Sequence, residues 1–285
     1  MTPDLSYIDI LIVSILVAIS VGMSLLERLG LAQDIVISCL RAFVQLTAVG
    51  FVLRLLFDNV AFHWVALAVL VMIAAAVQAG RSRLDGVSPG LTGDMTVAIL
   101  LVSVATLAFV VGAVIRPALW YDPQIIVPLA GMIIGNTMTA TTLAANRYLA
   151  ELRLQQQDVE AMLALGATSD QAAANVSREA IRSALIPTIA GMMVVGIALL
   201  PGTMTGQILA GQDPSQAVRY QLVVQYMMLF AAVATSLLIV RLIHRRYFTR
   251  SHQIRLELLR ESSSEAHRNG VGRQVLHWIR KRLTG

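Results

Sequence analysis

Apolar residues gather along this chain in seven stretches, near 8–26, 35–56, 61–80, 95–115, 124–145, 184–202 and 220–243. Each approaches the ~20 residues that a helix needs to cross the hydrocarbon core of a bilayer. The pattern predicts an all-α, polytopic transmembrane helical bundle of about seven spans. The third and fourth stretches are the most uniformly apolar, whereas the second and fifth carry polar residues inside the span. Between Arg147 and Ser183 the pattern changes. Glu151 to Glu160 is rich in helix formers, and no proline interrupts the chain before Pro187. One or two water-exposed helices are expected there. Past Ser251, the residues Val271, Val275, Leu276, Ile279 and Leu283 share one helical face, with Arg273, Arg280 and Arg282 elsewhere on the wheel. That is the pattern of a basic amphipathic helix on anionic lipid; a solvated tail is the competing reading. The expected organisation is a transmembrane domain over 1–250, with its loop at 147–183, and a basic tail over 251–285.

Composition agrees with lipid as the solvent. Of the 285 residues 56% are hydrophobic and 14% charged, with mean hydropathy +0.71. A soluble domain carries about 25% charge, so there is too little polar surface here to cover a water-facing globule. A net charge of +5 could suggest nucleic acid, but 10 of the 22 basic residues lie between Arg245 and Arg282, after the last apolar run. Nucleic acid is therefore not an expected partner; the bilayer is. The arginines also suggest an orientation. With the N-terminus outside and the C-terminus inside, 18 basic residues fall on inner segments and three, Arg54, Arg116 and Arg219, on outer ones. The expected location is the plasma membrane, the inner membrane in a bacterium. The N-terminus lacks the positive region of a cleaved signal, so the first apolar run is expected to persist as a helix. Cys39, the sole cysteine, has no partner for an internal disulfide and reads as a small buried residue in an apolar segment rather than a reactive thiol.

The chemistry of sites narrows the choice further. The single lysine, Lys281, lies outside any glycine-rich loop, so no phosphate-cradling P-loop is expected, and with it no bound cofactor. Zinc-protease and Cys-x-x-Cys spacings are missing too. The five histidines stand near or beyond span ends and read as surface residues. Within the spans, polar residues cluster. Ser38, Arg41 and Gln45 share a face of the second stretch; Arg41 either anchors at the membrane boundary or lines a path or interface. In the fifth, Asn136, Thr139 and Asn146 share a face, and Gly131 and Gly135 form a small-xxx-small pair. That face serves helix packing or a polar path. Pro201 and Gly202 end the sixth stretch, and the segment to Gly211, with Met204 and Gln207, reads as a broken, buried element or a tight turn. Gln221 and Gln225 sit one turn apart in the seventh. Met192, Met193, Met204, Met227 and Met228 are packing residues or soft-metal ligands, and no metal site is assigned.

Three segments carry a resemblance to a known family. Ile134-Gly-Asn-Thr-Met138, Leu200-Pro-Gly-Thr-Met-Thr-Gly-Gln-Ile-Leu-Ala-Gly211 and Arg41-Ala-Phe-Val-Gln-Leu46 are similar to the FetB-type permeases of ABC transporters. Bacterial members of that family are described as iron exporters, and plant relatives are linked to aluminium tolerance. The resemblance covers roughly residues 8 to 250. In the loop, Glu160-Ala161 followed by Gly166 resembles the coupling motif of ABC membrane subunits, although Leu185-Ile-Pro187 falls later than that motif's Leu-Pro. The resemblance implies a permease subunit, not an enzyme. ATP and Mg2+ would be held by a separate ABC ATPase docked near Glu160, Ala161 and Gly166, and two permease copies would form a homodimer. Its cargo would be exported iron or another metal, moved by alternating access past Arg41, Gln45, Asn136, Thr139, Pro201, Gly202, Met204, Gln207, Gln221 and Gln225. A self-contained carrier or a membrane scaffold is the alternative.

Overall fold

The computed structural model describes residues 7–58, 60–84, 89–255 and 257–259, and helices dominate throughout. In chain order they are α1 (Tyr7–Leu26), α2 (Ala32–Asp58), α3 (Phe62–Arg81), α4 (Pro89–Phe109), α5 (Pro123–Leu154), α6 (Gln156–Ala164), α7 (Ser169–Ala172), α8 (Ala174–Val194), α9 (Gly202–Leu209) and α10 (Pro214–Tyr247). A π-helical turn, Val110–Ile115, continues α4. It ends on Arg116 in the left-handed conformation, whose N–H donates to Val111 O and whose Nε donates to Ala113 O at 2.9 Å.

Among the described residues six helices, not seven, are long and apolar enough to cross a membrane: α1, α2, α3, α4 with its π turn, α5 and α10. The expected span at 184–202 is corrected. Its helix is α8, which begins earlier, at Ala174, and carries Arg178, Glu179 and Arg182 in its first half. It stops at Val194, where Gly196 (φ +83°) turns the chain. Pro201 does not end a span; it is the N-cap of α9. At 1.5 Å per residue, the 21 residues of α8 still reach about 31 Å. Its charges, not its length, keep it out of the apolar set.

Hydrogen bonds fix the directions of the central helices. Asn136 Nδ2 donates to Met228 O at 2.6 Å, the Thr141 and Thr235 hydroxyls meet at 3.1 Å, and Tyr148 Oη lies 3.0 Å from His244 Nδ1. Advancing along α5 advances along α10, so the two run parallel. Ser177 meets Tyr148 and Thr188 meets Asn136, so α8 runs antiparallel between them and returns the chain from one end of the bundle to the other. Small residues let these backbones approach: Ala140, Ala144, Ala145, Ala180, Ala184, Ala231 and Ala232 are all buried. Gly80 does the same for α3, since a Cβ there would lie 2.9 Å from Met95 Cε and 3.1 Å from Thr142 Oγ1.

The two ends of the bundle differ in chemistry. One end gathers the C-termini of α5 and α10 with α6 and α7, and here lie Arg147, Arg178, Arg241, Arg245 and Arg246. Arg246 bridges to Asp94 at the start of α4 through two contacts, 2.5 and 2.8 Å. The opposite end bears Phe62, Trp120 and Tyr121, whose rings pack at 5.1 to 6.3 Å, the aromatic belt typical of a membrane boundary. The α1–α2 hairpin packs mainly on itself, and Leu11, Leu16, Leu46 and Phe51 stand exposed along it, as does Cys39, whose expected burial is corrected because α2 packs little against the rest of the bundle.

Candidate functional site

Two features concentrate chemistry. The first is the short helix α6 at the arginine-rich end. Val159 is buried and Leu163 packs against the core, while Glu160, Ala161, Met162 and Leu165 face outward. Leu165, 88% exposed, is one of the most exposed large apolar side chains. Gly166 explains the helix stop. Its φ of +91° is the left-handed conformation that closes a helix, and the bonds around it form a Schellman motif: Gly166 N–H donates to Leu163 O and Ala167 N–H to Met162 O, both at 3.0 Å. An alanine at this position meets no neighbour but strains the backbone, so Gly166→Ala is expected to destabilise the α6 stop by about 1 kcal/mol. Faster proteolysis between 155 and 173, at little change in global thermal unfolding, is the measurement that checks it.

Next to α6, Thr168 and Gln171 close a reciprocal capping box on α7. Asp170 on α7 contacts His244 Nε2 at 3.3 Å. His252 accepts from the Ser169 N–H at 3.1 Å through Nδ1, which also lies 3.0 Å from Ser169 Oγ. These two histidines are therefore not mere surface residues: they tie α7 to α10 and to the hairpin that follows it. Phe248 bridges Ile254, and Arg255 N–H donates to Tyr247 O, so the residues past Thr249 fold back on the end of α10 while His252 reaches α7. The amphipathic pattern at 271–283 lies outside the described residues.

The second feature is a seam of neutral oxygen and nitrogen groups along α5, α8, α9 and α10. Asn136 sits at its centre, donating to Met228 O and accepting from Thr188 Oγ1 at 3.4 Å. Toward the aromatic end, Thr203 on α9 donates to Gln221 Oε1 at 2.6 Å, and Gln207 Oε1 is buried with no hydrogen-bond partner among the described residues. On the α4 side Ser103 and Thr137 pair at 3.1 Å.

Of the residues expected along a path, Asn136 and Gln221 lie in this seam; Gly202, Met204 and Gln207 are on α9, the helix that joins it through Thr203, and Pro201 is that helix's N-cap. Gln225 is half-buried one turn from Gln221. Thr139 instead faces outward and bonds back to Gly135 O, and Asn146 reaches Arg83 O; the expected shared face of α5 is thus split. Of the pair, only at Gly131 would a Cβ meet a neighbour, Met72 Cε at 3.2 Å. Arg41 and Gln45 are exposed on α2, away from the seam. Sequence reasoning missed Thr188, Thr203, Thr235, Asp94 and Arg246; only their three-dimensional pairing singles them out. Thr137 and Thr141, polar and fully buried, carried the signal of hydroxyls within an apolar span. Among the described residues no three His, Cys, Asp or Glu side chains are grouped so that they could hold a metal ion.

Residues 7–248 match the family described as "Uncharacterised protein family (UPF0014)". The chain is 36% identical over 238 residues to "UPF0014 membrane protein STAR2" of Oryza sativa subsp. japonica, covering 84% of this chain and 82% of that one. It is 34% identical over 239 residues to the "Probable iron export permease protein FetB" of Escherichia coli (strain K12), covering 84% and 91%. It is 32% identical over 240 residues to "Protein ALUMINUM SENSITIVE 3" of Arabidopsis thaliana, covering 84% and 86%. No solved structure matches it. With apolar helices built to cross a bilayer and this likeness along most of its length, the chain belongs to the UPF0014 family of multi-pass membrane proteins.

Proposed function

We propose that this chain is the membrane-spanning subunit of an ATP-driven exporter of iron or another metal, working as two copies with two separate ATPase subunits. The arginine-rich end faces the cytoplasm in this reading, in keeping with the positive-inside rule. The observation that carries it is α6: a short helix pinned from beneath by Val159 and Leu163, with Glu160, Ala161 and Leu165 turned away from the bundle. An exposed apolar side chain at the water-facing end of a membrane protein is what a docking partner covers. The relative named as an iron export permease supports the cargo.

The coupling chemistry follows from the contacts already described. ATP, bound with Mg2+ on the partner, would change the partner's shape; α6 follows it, and α7 passes the displacement to α10 through Asp170–His244 and to the hairpin after α10 through Ser169–His252. The seam of Asn136, Thr188, Thr203 and Gln221 lies between the helices so moved and offers neutral oxygens to a cation shedding its water. Binding of nucleotide drives the change only in so far as it favours one arrangement over the other.

Inverted vesicles holding the chain and its ATPase provide the test. ATP-dependent accumulation of iron or another metal from a defined panel is expected. Accumulation of none of them overturns the metal assignment, and accumulation that persists without the ATPase overturns the ATP-driven reading itself.

A further inference from the structure

At the arginine-rich end, α8 and α10 diverge around a cavity of about 770 Å3. Its walls grade from apolar to charged. Toward the middle of the bundle they are Ile181, Leu237 and Val240; toward the end they are Ser169, Asp170 and Thr249, with Arg241, Arg245 and Arg250. Leu237, Arg241 and Arg245 recur every four residues on α10, so one helical face passes from hydrocarbon depth to the boundary within two turns. The three arginines are exposed and have no carboxylate partner among the described residues. The one acidic residue in the cavity, Asp170, is turned to His244. Three guanidinium groups held over an apolar floor, at the depth where helices leave the membrane, need an anion that also brings hydrocarbon.

We infer that this cavity is a site for an anionic phospholipid, its phosphate held by Arg241, Arg245 and Arg250 and an acyl chain lying along Leu237, Val240 and Ile181. Guanidinium matches phosphate oxygens in a forked, charge-assisted geometry that a zwitterionic headgroup satisfies less well. Basic pockets between membrane helices hold such headgroups elsewhere. A free phosphate compound offers the same oxygens but leaves the apolar floor uncovered, so the lipid is the occupant that matches both halves of the cavity. The site adjoins α7 and the hairpin after α10, and a bound lipid would brace the segment through which His244 and His252 tie them. The inference does not depend on what the protein transports.

The probe is phosphatidylglycerol against phosphatidylcholine of the same acyl chains, presented to the full-length chain in detergent and read by native mass spectrometry. Phosphatidylglycerol is expected to be retained about tenfold more strongly. R241Q/R245Q/R250Q should remove that preference, whereas R54Q/R116Q/R219Q, which discards the same charge elsewhere, should keep it. Soluble glycerol phosphate at millimolar concentration should not displace the lipid. Equal retention of the two lipids, or an unaltered preference in the first triple variant, overturns the site. Displacement by glycerol phosphate alone overturns the assignment to lipid.

Discussion

Leu165→Asp is expected to abolish ATP-driven transport while leaving the protein folded. The side chain is 88% exposed, so aspartate there removes no core contact and meets only water in the isolated chain. In the assembled transporter the same carboxylate would be buried against the ATPase without a partner. Truncation or charging of a central interface residue costs upward of 2 kcal/mol, roughly 30-fold in affinity. Co-purification of the ATPase should fall by at least that factor and ATP-dependent flux with it, at an unchanged thermal midpoint. Val159→Asp is the contrasting case: that position is buried, and both binding and fold should suffer. If Leu165→Asp retains a stoichiometric ATPase, α6 is not the docking element, whatever the rest of the loop does.

The second large effect is expected on stability, at the pair that closes the arginine-rich end. Arg246 reaches both carboxylate oxygens of Asp94, joining residues from α10 and α4 that stand 152 apart in sequence. Asp94 is largely buried, with 14% of its side chain exposed, and Arg246 is about one-third exposed. Arg246→Ala leaves a nearly buried carboxylate with no guanidinium, at a cost of about 2 kcal/mol. Asp94→Asn keeps one acceptor and should cost about half as much. Gly90 adds a steric test, because a Cβ at that position would collide with Arg246 Nη1 and Cζ. Gly90→Ala should therefore reproduce part of the arginine loss without touching either charge. Thermal unfolding in detergent reads all three; a midpoint indifferent to Arg246→Ala would show that the pair contributes nothing to holding the helices together.

Much of the architecture is legible because lipid imposes a coarse rule. Six of the expected spans correspond to helices long and apolar enough to cross. The sixth stretch misled for a physical reason. Its apolar run begins only where α8 is already ten residues old, since Arg178, Glu179 and Arg182 lie in the part of the helix near the arginine-rich end. Hydropathy sees the greasy half and then runs on through Leu199 and Leu200, past the turn at Gly196 that ends the helix. The seam was half legible. Asn136 and Gln221 stand out as polar residues in apolar surroundings, but whether such a group faces a path, another helix or lipid depends on rotation about the helix axis. A 3.6-residue period leaves that open when both sides of a helix are packed. Thr139 and Thr141 show the difference: two residues apart, one faces outward and the other is fully buried against Thr235. Histidines at helix ends were the least legible. His244 and His252 resemble ordinary boundary residues until Asp170 and Ser169 fold back onto them.

The rungs joining α5 to α10 constrain how this protein can change shape. Asn136–Met228, Thr141–Thr235 and Tyr148–His244 are spread along two helices pointing the same way. Sliding one helix along the other stretches all three contacts together. Such offsets are thus disfavoured. The pair behaves as a single stiff beam, and motion is left to the helices hinged around it.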